Sequence, residues 1–482
     1  MKAYEKAYKA YDIRGVYGEH VDTTLAYAVG RAVGRKVLEK DGAEGSVLIS
    51  ADVREYNNQL IYYFVKWCES VGCTNVIGVW LPVENVGGQH QYWGVASTAM
   101  YYYLNKDICT MGAQFTASHN PPQYAGMKIV DHESHLVETA VIKEWVGDEY
   151  PEQSETYDEA DFQRIRARVM DPQHPLRMTL RQRYEQMVSL LHQKFSSLTK
   201  HYKIVIDCSN GAGIAYEKQI LLDILGQQWH TLIFLNDKAD AQFQAHFSDT
   251  TNPHDYEQLV AAVKEHKADL GIMFDGDADR LGLVDNEWNV IGGDMVVAVI
   301  TQNILKKLPA GQAVVYDVTS TQAIRDVIEK YQWIPVPSRV GHRFIKEKFV
   351  EHNAVFGGEL SGHLFFTETW GLENTLFALY HILDELQWYA SCTTMITTIN
   401  PYYKPALVNY EVHNKDEILD HIKTHFAAYE LDFTDGIRVN MPDFWFLVRA
   451  SNTEPIIRLY SEAKNGEIWR QHIEEVNQIL GV

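Results

Sequence analysis

Three segments of this chain carry one short pattern. SVLISADVR (46–54), KIVIDCSNG (203–211) and AVVYDVTST (313–321) are each an apolar run, rich in β-branched residues, that reaches an aspartate and then small or polar residues. A continuous apolar run suits a strand buried on both faces, as in a parallel sheet. Helix-like stretches adjoin them, TLAYAVGRAVGRKVLEK (24–40) before the first and TQAIRDVIEKY (321–331) after the third. Strands alternating with helices make βαβ units, whose loops at the carboxyl ends of strands carry ligands. The segments lie too far apart for a solenoid repeat, so the pattern predicts repeated α/β domains.

With 482 residues the chain has room for roughly three or four such units at ~150 residues each. A charged, proline-flanked stretch over 150–176 reads as a connector. Further breaks fall at WNVIGG (288–293) and at NPYYKP (400–405), the latter after the helix-like LENTLFALYHILDELQWYA (372–390). The tail reads as a small α+β domain. It begins with the alternating ALVNYEVH, continues through a helical DEILDHIKTHFAAYE and strands around GIRVNM and FWFLVRAS, and closes with a helix. The expected domains are 1–165, 166–289, 290–399 and 400–482.

Composition narrows the class. Hydrophobic residues at 46% and charged residues at 22% exclude disorder, collagen and coiled coil. Forty-three basic against 64 acidic residues leave a net charge of −21, a field that repels nucleic acid and anionic lipid. The five cysteines (Cys68, Cys73, Cys109, Cys208 and Cys392) are odd in number and form no CxxC pair, which argues against a disulfide framework or structural zinc. The N-terminal MKAYEKAYKAYDIRG lacks an apolar signal core, and no ~20-residue apolar run occurs. The expectation is a cytoplasmic protein with no membrane or nucleic-acid partner.

Four motifs carry chemistry. In FDGDADRLGLVD (274–285), Asp275, Asp277 and Asp279 alternate with small residues directly after the apolar run DLGIMF, with Arg280 adjoining. That spacing turns three carboxylates toward one point and suits a hard cation. The residues that follow lack the glutamate of a calcium loop, so Mg²⁺ is expected. In FTASHNPPQYAGMKIV (115–130), the prolines of HNPP force a tight non-helical loop that holds the Ser118 hydroxyl outward. A Ser–His hydrolase pair is disfavoured. Ser118 lacks a GxSxG elbow, and the adjacent His119 is badly placed to face its own predecessor. Lys128, ten residues on, is a candidate phosphate-binding cation or proton carrier, although a lone lysine there reads as a surface residue.

In FGGELSGHLFF (356–366), Glu359, Ser361 and His363 alternate along a glycine-loosened strand and share a face, a set suited to sugar hydroxyls. In VRASNTEPIIRLYSEA (448–463), Arg449, Ser451, Asn452 and Thr453 offer a charged fork, hydroxyls, an amide and turn N–H groups, the inventory for a phosphate dianion, with Arg458 further along. Two weaker segments are YDIRGVYG (11–18), with Tyr11, Asp12 and Arg14, and SRVGHRFIKEK (338–348), with Gly341 and His342.

These motifs, in this order from Tyr11 to Glu462, resemble the α-D-phosphohexomutase superfamily, most closely its bacterial phosphomannomutase/phosphoglucomutase branch. The resemblance implies three similar α/β domains with mixed sheets plus a smaller C-terminal α+β domain around a central active-site cleft. It implies reversible conversion of hexose 6-phosphate and hexose 1-phosphate through a phosphoserine and a hexose 1,6-bisphosphate, which also serves as activator, with mannose phosphate favoured. Ser118 would be the phosphoserine and, with Asp275, Asp277 and Asp279, hold Mg²⁺. Lys128, Arg280 and His119 would serve catalysis. Tyr11, Arg14, His342, Glu359, Ser361, Gly362, His363, Arg449, Ser451, Asn452, Thr453 and Arg458 would bind the hexose phosphate. A monomer or weak homo-oligomer is implied. Alternatives are a glucose-specific phosphoglucomutase, a phosphoglucosamine mutase or a non-catalytic sugar-phosphate binder. The chain departs from the family pattern at Thr319, where some members carry lysine, at Ala125, in WGLENT (370–375) and in an apparent insertion over 84–95. Leu360 and the SNTEP loop argue against an amino-sugar substrate.

Overall fold

The computed structural model describes residues 3–9, 11–79, 94–148, 150–151, 157–228, 230–412, 414–450 and 455–481. The chain divides into two compact units, Met1–Val290 with Leu372–Tyr380, and Ile291–Gly371 with His381–Val482.

Two five-stranded sheets organise the first unit. β1 (Ile13–Val16), β2 (Val47–Ala51), β3 (Val76–Gly78), β4 (Met111–Phe115) and β5 (Tyr124–Asp131) lie in the order β3-β2-β4-β5-β1. Here β2 is parallel to β3 and β4, and β5 is antiparallel to β4 and β1. β6 (Lys203–Asp207), β7 (Thr231–Leu235), β8 (Leu270–Phe274), β9 (Leu281–Asp285) and β10 (Val290–Ile291) follow in the order β7-β6-β8-β9-β10, with β6 parallel to β7 and β8, and β8 antiparallel to β9. A third sheet has β11 (Ala313–Asp317), β12 (Ile334–Ser338), β13 (Phe356–Gly358), β14 (Leu364–Phe366) and β15 (Leu372–Glu373) in the order β12-β11-β13-β14-β15.

The three sheets are therefore one topology used three times. β2, β6 and β11, the strands of the three apolar segments, all hold the second position. Only the fifth position differs in origin, taken by an earlier strand in the first sheet and by later strands in the other two. The likeness extends to single bonds. Asp52, Asp207 and Asp317 are buried, and each accepts the backbone N–H two residues on, from Arg54 at 3.0 Å, Ser209 at 2.9 Å and Thr319 at 2.8 Å. Such an aspartate turn folds the chain over the end of its strand.

Helices Thr23–Asp41 and Asn57–Ser70 cover the first sheet, and their approach is close. A Cβ at Gly30 would lie 2.2 Å from the Phe64 carbonyl, so that crossing admits only glycine. The fourth sheet is wholly antiparallel. β16 (Val408–Glu411), β17 (Glu430–Asp432), β18 (Ile437–Asn440), β19 (Phe444–Ala450) and β20 (Ile456–Ala463) run in the order β16-β20-β19-β18-β17. Helices Lys415–His425 and Gly466–Leu480 bury Ile418, Ile422, Ile473 and Val476 in the same core as Phe446, Val448 and Leu459 of its strands. All five cysteines are buried and free. Among the described residues, no helix is long and apolar enough to cross a membrane.

Candidate active site

The motif loops leave equivalent strands. Residues 116–123 follow β4, 275–280 follow β8 and 359–363 follow β13, the third strand of each sheet. The first two loops lie in the first unit.

Ser118 sits in the left-handed region with φ +51°. Its N–H bonds the Thr116 hydroxyl at 2.8 Å, and Asn120 N–H bonds the Ala117 carbonyl at 3.1 Å. The expected outward hydroxyl is corrected, because Ser118 is only 1% exposed. The neighbouring aspartate loop packs on it, and a Cβ at Gly276 would lie 2.6 Å from the Ser118 carbonyl. Ser118 Oγ donates to Asp275 Oδ2 at 3.0 Å and lies 3.3 Å from His119 Nδ1. His119 thus does reach its predecessor, since the left-handed backbone at Ser118 turns the chain back on itself. The Asp275 contact is the shorter.

Asp275, Asp277 and Asp279 are all buried, with oxygens within 4.8 Å of one another. The turn is closed by Asp275 Oδ1, which accepts the N–H groups of Asp279 and Arg280, each at 3.1 Å. Lys128 is no surface lysine. It is 4% exposed, and its Nζ lies 2.8 Å from both Asp277 Oδ2 and Asp279 Oδ2. Arg280 Nε lies 3.8 Å from Asp275 Oδ2 and 4.0 Å from Asp279 Oδ1. Thr98 donates its hydroxyl to Asp277 Oδ2 at 2.7 Å and its N–H to the Asp277 carbonyl at 2.8 Å. Burial and the Asp279 charge push Asp277 up, but the Lys128 ammonium and the Thr98 hydroxyl outweigh them and hold it below the usual carboxylate range. Burial opposes the Lys128 charge, and Asp277 and Asp279 override it, so its pKa stands well above the ordinary lysine value.

Charge and donor type together admit a metal. Three carboxylates face two cations, Lys128 and Arg280, and among the described residues the buried Asp277 Oδ1 has no hydrogen-bond partner. An all-oxygen donor set with surplus negative charge fits a hard divalent ion.

Arg14 reaches this loop from β1. It pairs opposite Gly126, donates Nε to Asp12 Oδ2 at 3.1 Å with Nη2 on the same oxygen, and donates Nη1 to Asn120 Oδ1 at 2.9 Å. Tyr11 is half-buried just before β1.

The second unit holds the remaining described residues. Glu359, Ser361 and His363 do not share a strand, because β13 ends at Gly358 and β14 begins at Leu364. Gly362 takes φ +92°, and Glu359 N–H bonds the His363 carbonyl at 3.1 Å, a tight turn that returns residue 363 opposite residue 359. The three still converge. Glu359 Oε2 lies 2.8 Å from His363 Nδ1 and 3.4 Å from Ser361 Oγ, while Oε1 accepts the Gly341 N–H at 2.7 Å. The His342 ring centroid is 5.5 Å from that of His363. Arg449 Nε pairs with Asp435 Oδ2 at 2.9 Å, and Arg449 stands directly opposite Arg458 on the neighbouring strand. Ser451, Asn452 and Thr453 lie outside the described residues, as do residues 84–93 of the apparent insertion over 84–95. At the Thr319 departure, the backbone carbonyl accepts Lys404 Nζ at 2.8 Å.

Sequence reasoning missed Thr98, Asp52 and Arg54. The signal for Asp52 and Arg54 lay in the ADVR end of the first strand-plus-aspartate segment, whereas Thr98, in VASTAM (95–100), carries no motif.

Repeated α/β sheets here present a serine and a carboxylate triad on equivalent loops, with a buried lysine of β5 against the triad. Four family models place the chain more closely. They are phosphoglucomutase/phosphomannomutase alpha/beta/alpha domain I over residues 5–155, domain II over 183–290, domain III over 292–396 and the C-terminal domain over 407–479. The chain belongs to the phosphoglucomutase/phosphomannomutase family. It is 33% identical to a phosphomannomutase of Methanocaldococcus jannaschii, across 98% of this chain and 97% of that protein. It is 30% identical to a phosphomannomutase/phosphoglucomutase of Pseudomonas putida, across 99% and 96%. A phosphoglucomutase/phosphomannomutase family protein of Burkholderia thailandensis shares the fold, with a TM-score of 0.80, 24% identity and coverage of 99% and 97%.

Proposed function

We propose that this chain is a phosphomannomutase/phosphoglucomutase that moves a phosphoryl group between O1 and O6 of a hexose, with mannose phosphate the favoured substrate. The observation that carries the reading is the Ser118 hydroxyl, 3.0 Å from Asp275 in a buried loop whose triad also engages Lys128. Phosphorylated Ser118 stores the group. The phosphoryl passes to the free hydroxyl of the sugar phosphate, and the resulting hexose 1,6-bisphosphate, turned end for end, returns its other phosphoryl to Ser118. Asp275, Asp277, Asp279 and Ser118 would hold Mg²⁺, which when bound would supply neutralisation of the charge on the transferring group. Arg280 adds fixed positive charge, and Arg14 braces Asn120 of the same loop. Lys128 is the first choice to move the proton of the attacking hydroxyl, with His342 and His119 behind it. Asp277 and Asp279 hold Lys128 protonated, so it can accept that proton only once their charge is taken up elsewhere. Glu359, Ser361 and His363 suit sugar hydroxyls, and the Arg449 loop with Arg458 suits the phosphate that stays in place.

The relative from Methanocaldococcus jannaschii is named a phosphomannomutase, and that from Pseudomonas putida is named for both sugars. Glucose preference is therefore the alternative. Initial rates on mannose 1-phosphate and glucose 1-phosphate, each with catalytic glucose 1,6-bisphosphate, separate the two. Intact mass and peptide mapping should place ~80 Da on Ser118. A Ser118→Ala enzyme with full turnover would sink the covalent route.

A further inference from the structure

Arg54 is the most completely engaged side chain around the serine loop, and the mechanism above does not use it. Its side chain is 0% exposed. A guanidinium has five N–H donors, and here all five are placed. Nε donates to Asp52 Oδ2 at 3.0 Å. Nη1 donates to the Pro121 carbonyl at 2.8 Å and the Tyr124 carbonyl at 3.2 Å. Nη2 donates to the carbonyls of Ser118 and Asn120, both at 2.6 Å. Three of the five bonds therefore end on the backbone of the serine loop, and a fourth on Tyr124, the first residue of β5.

Asp52 works on the same residue from the other side. Its Oδ2 accepts the Thr116 hydroxyl at 2.6 Å, and the Thr116 oxygen accepts the Ser118 N–H at 2.8 Å. Its Oδ1 accepts Asn57 Nδ2 at 2.7 Å and the Arg54 N–H at 3.0 Å. Both peptide groups that flank the Ser118 Cα are thus clamped by a system that ends on Asp52, one through Thr116 and one through Arg54. Ser118 needs such a clamp. A non-glycine residue at positive φ holds a strained conformation that persists only where surrounding bonds over-determine it. The prolines at 121 and 122 have no N–H groups of their own to contribute.

We infer that Arg54, anchored by Asp52, is a positioning residue that sets the direction of Ser118 Oγ for in-line phosphoryl transfer. The inference rests on the phosphoserine reading of Ser118. Arg54 donates to protein carbonyls and one carboxylate, and its guanidinium lies over the Phe243 ring, 5.1 Å from the centroid, so it acts through Ser118 and not on the sugar. Its loss should appear in kcat and leave KM nearly untouched, because the groups that suit the sugar phosphate lie on other loops. A misplacement of about 1 Å at a reacting group is enough for a loss of about 100-fold.

The test uses the full chain with Arg54→Lys and Arg54→Met, assayed on glucose 1-phosphate and mannose 1-phosphate with catalytic glucose 1,6-bisphosphate. The expected result for Arg54→Lys is a fall in kcat of about 100-fold with KM within threefold of wild type. Arg54→Met should be at least tenfold slower again, because lysine keeps a charged donor at Asp52. A folded Arg54→Lys enzyme with kcat within threefold of wild type overturns the inference. So does a KM that rises as far as kcat falls. Should both Arg54 variants fail to fold, Asp52→Asn keeps the guanidinium and weakens its anchor. It should lower kcat at least fivefold at unchanged KM, and an unchanged kcat overturns the inference. A wild-type enzyme that turns over without phosphate on Ser118 overturns the phosphoserine reading itself. That result is distinct from a phosphorylated wild type whose kcat ignores Arg54.

Discussion

The loop after β8 and the loop after β13 occupy the same place in the same sheet topology, yet they hold their polar groups by opposite means. The β8 loop gathers three buried carboxylates and balances them with charges, Lys128 at 2.8 Å from two of them and Arg280 near 4 Å. The β13 loop has one carboxylate, Glu359, met by a backbone N–H, a serine hydroxyl and an imidazole. Crowded like charges suit a centre that must take a cation and a transferring phosphoryl group. A carboxylate with hydrogen-bonding neighbours suits recognition of neutral hydroxyls. On the proposed function, one scaffold position would serve rate in one domain and binding in another, and the difference lies in the short loop together with Lys128 of β5, which faces it in the first case.

Asp277→Asn should break the rate side of that contrast most severely. It removes the charge that holds both Lys128 and Thr98, and a ligand of the triad. A fall in kcat of about 10³-fold is expected, with Mg²⁺ dependence shifted to higher concentration. Near-normal turnover of wild type in metal-stripped buffer would contradict the assignment of the triad. Glu359→Gln tests the other loop. It leaves the fold intact but loses the charge facing His363 and the Gly341 N–H, so kcat/KM should fall about 30-fold. Most of that loss should appear in KM. A change confined to kcat would erase the division of labour. Arg449→Ala removes the fork now paired with Asp435, and KM for hexose 1-phosphate should rise about tenfold with a smaller loss in kcat. An unchanged KM would leave that loop a turn and no more.

The sequence was most legible where one residue type repeats at fixed spacing. The three strand-plus-aspartate segments pointed to a repeated α/β unit because burial on both faces leaves a continuous apolar run. The alternating aspartates pointed to a cation because spacing alone aims them. It was least legible where a contact joins distant parts of the chain. Lys128 read as a surface residue because nothing local shows that Asp277 and Asp279 will face it. Arg54 was invisible because its partners, the carbonyls of residues 118, 120, 121 and 124, are backbone atoms with no sequence signature. Glu359, Ser361 and His363 were placed together for the wrong reason, since a strand period of two and a tight turn bring the same residues into contact.

The last contrast sets Asp277 against Glu217, two buried carboxylates of the first unit. Asp277 has an ammonium beside it and titrates low. Glu217, at the start of helix Tyr216–Ile224, accepts the Ser97 hydroxyl at 2.5 Å on Oε1 and is also met by its own backbone N–H, while among the described residues its buried Oε2 has no hydrogen-bond partner. Burial pushes it up to about 7, which the Ser97 bond only partly offsets. A carboxyl whose folded value is raised contributes stability that is fully present below its unfolded value, and that contribution is lost as pH rises through the folded one. For Glu217 the window runs from 4.5 to about 7. Wild type should therefore lose stability relative to Glu217→Gln between pH 5 and pH 8, by up to roughly 3 kcal/mol from the proton-linkage relation. The variant carries its own fixed offset, because the buried amide must find a partner at every pH. The slope of the difference is thus the measurement, and its value at one pH is not. Thermal melts of both proteins across that range should converge or cross as pH rises, with a relative shift of a few degrees. A difference in Tm that stays flat from pH 5 to pH 8 would mean that Glu217 is ionised in the fold, with a cation or solvent reaching its second oxygen.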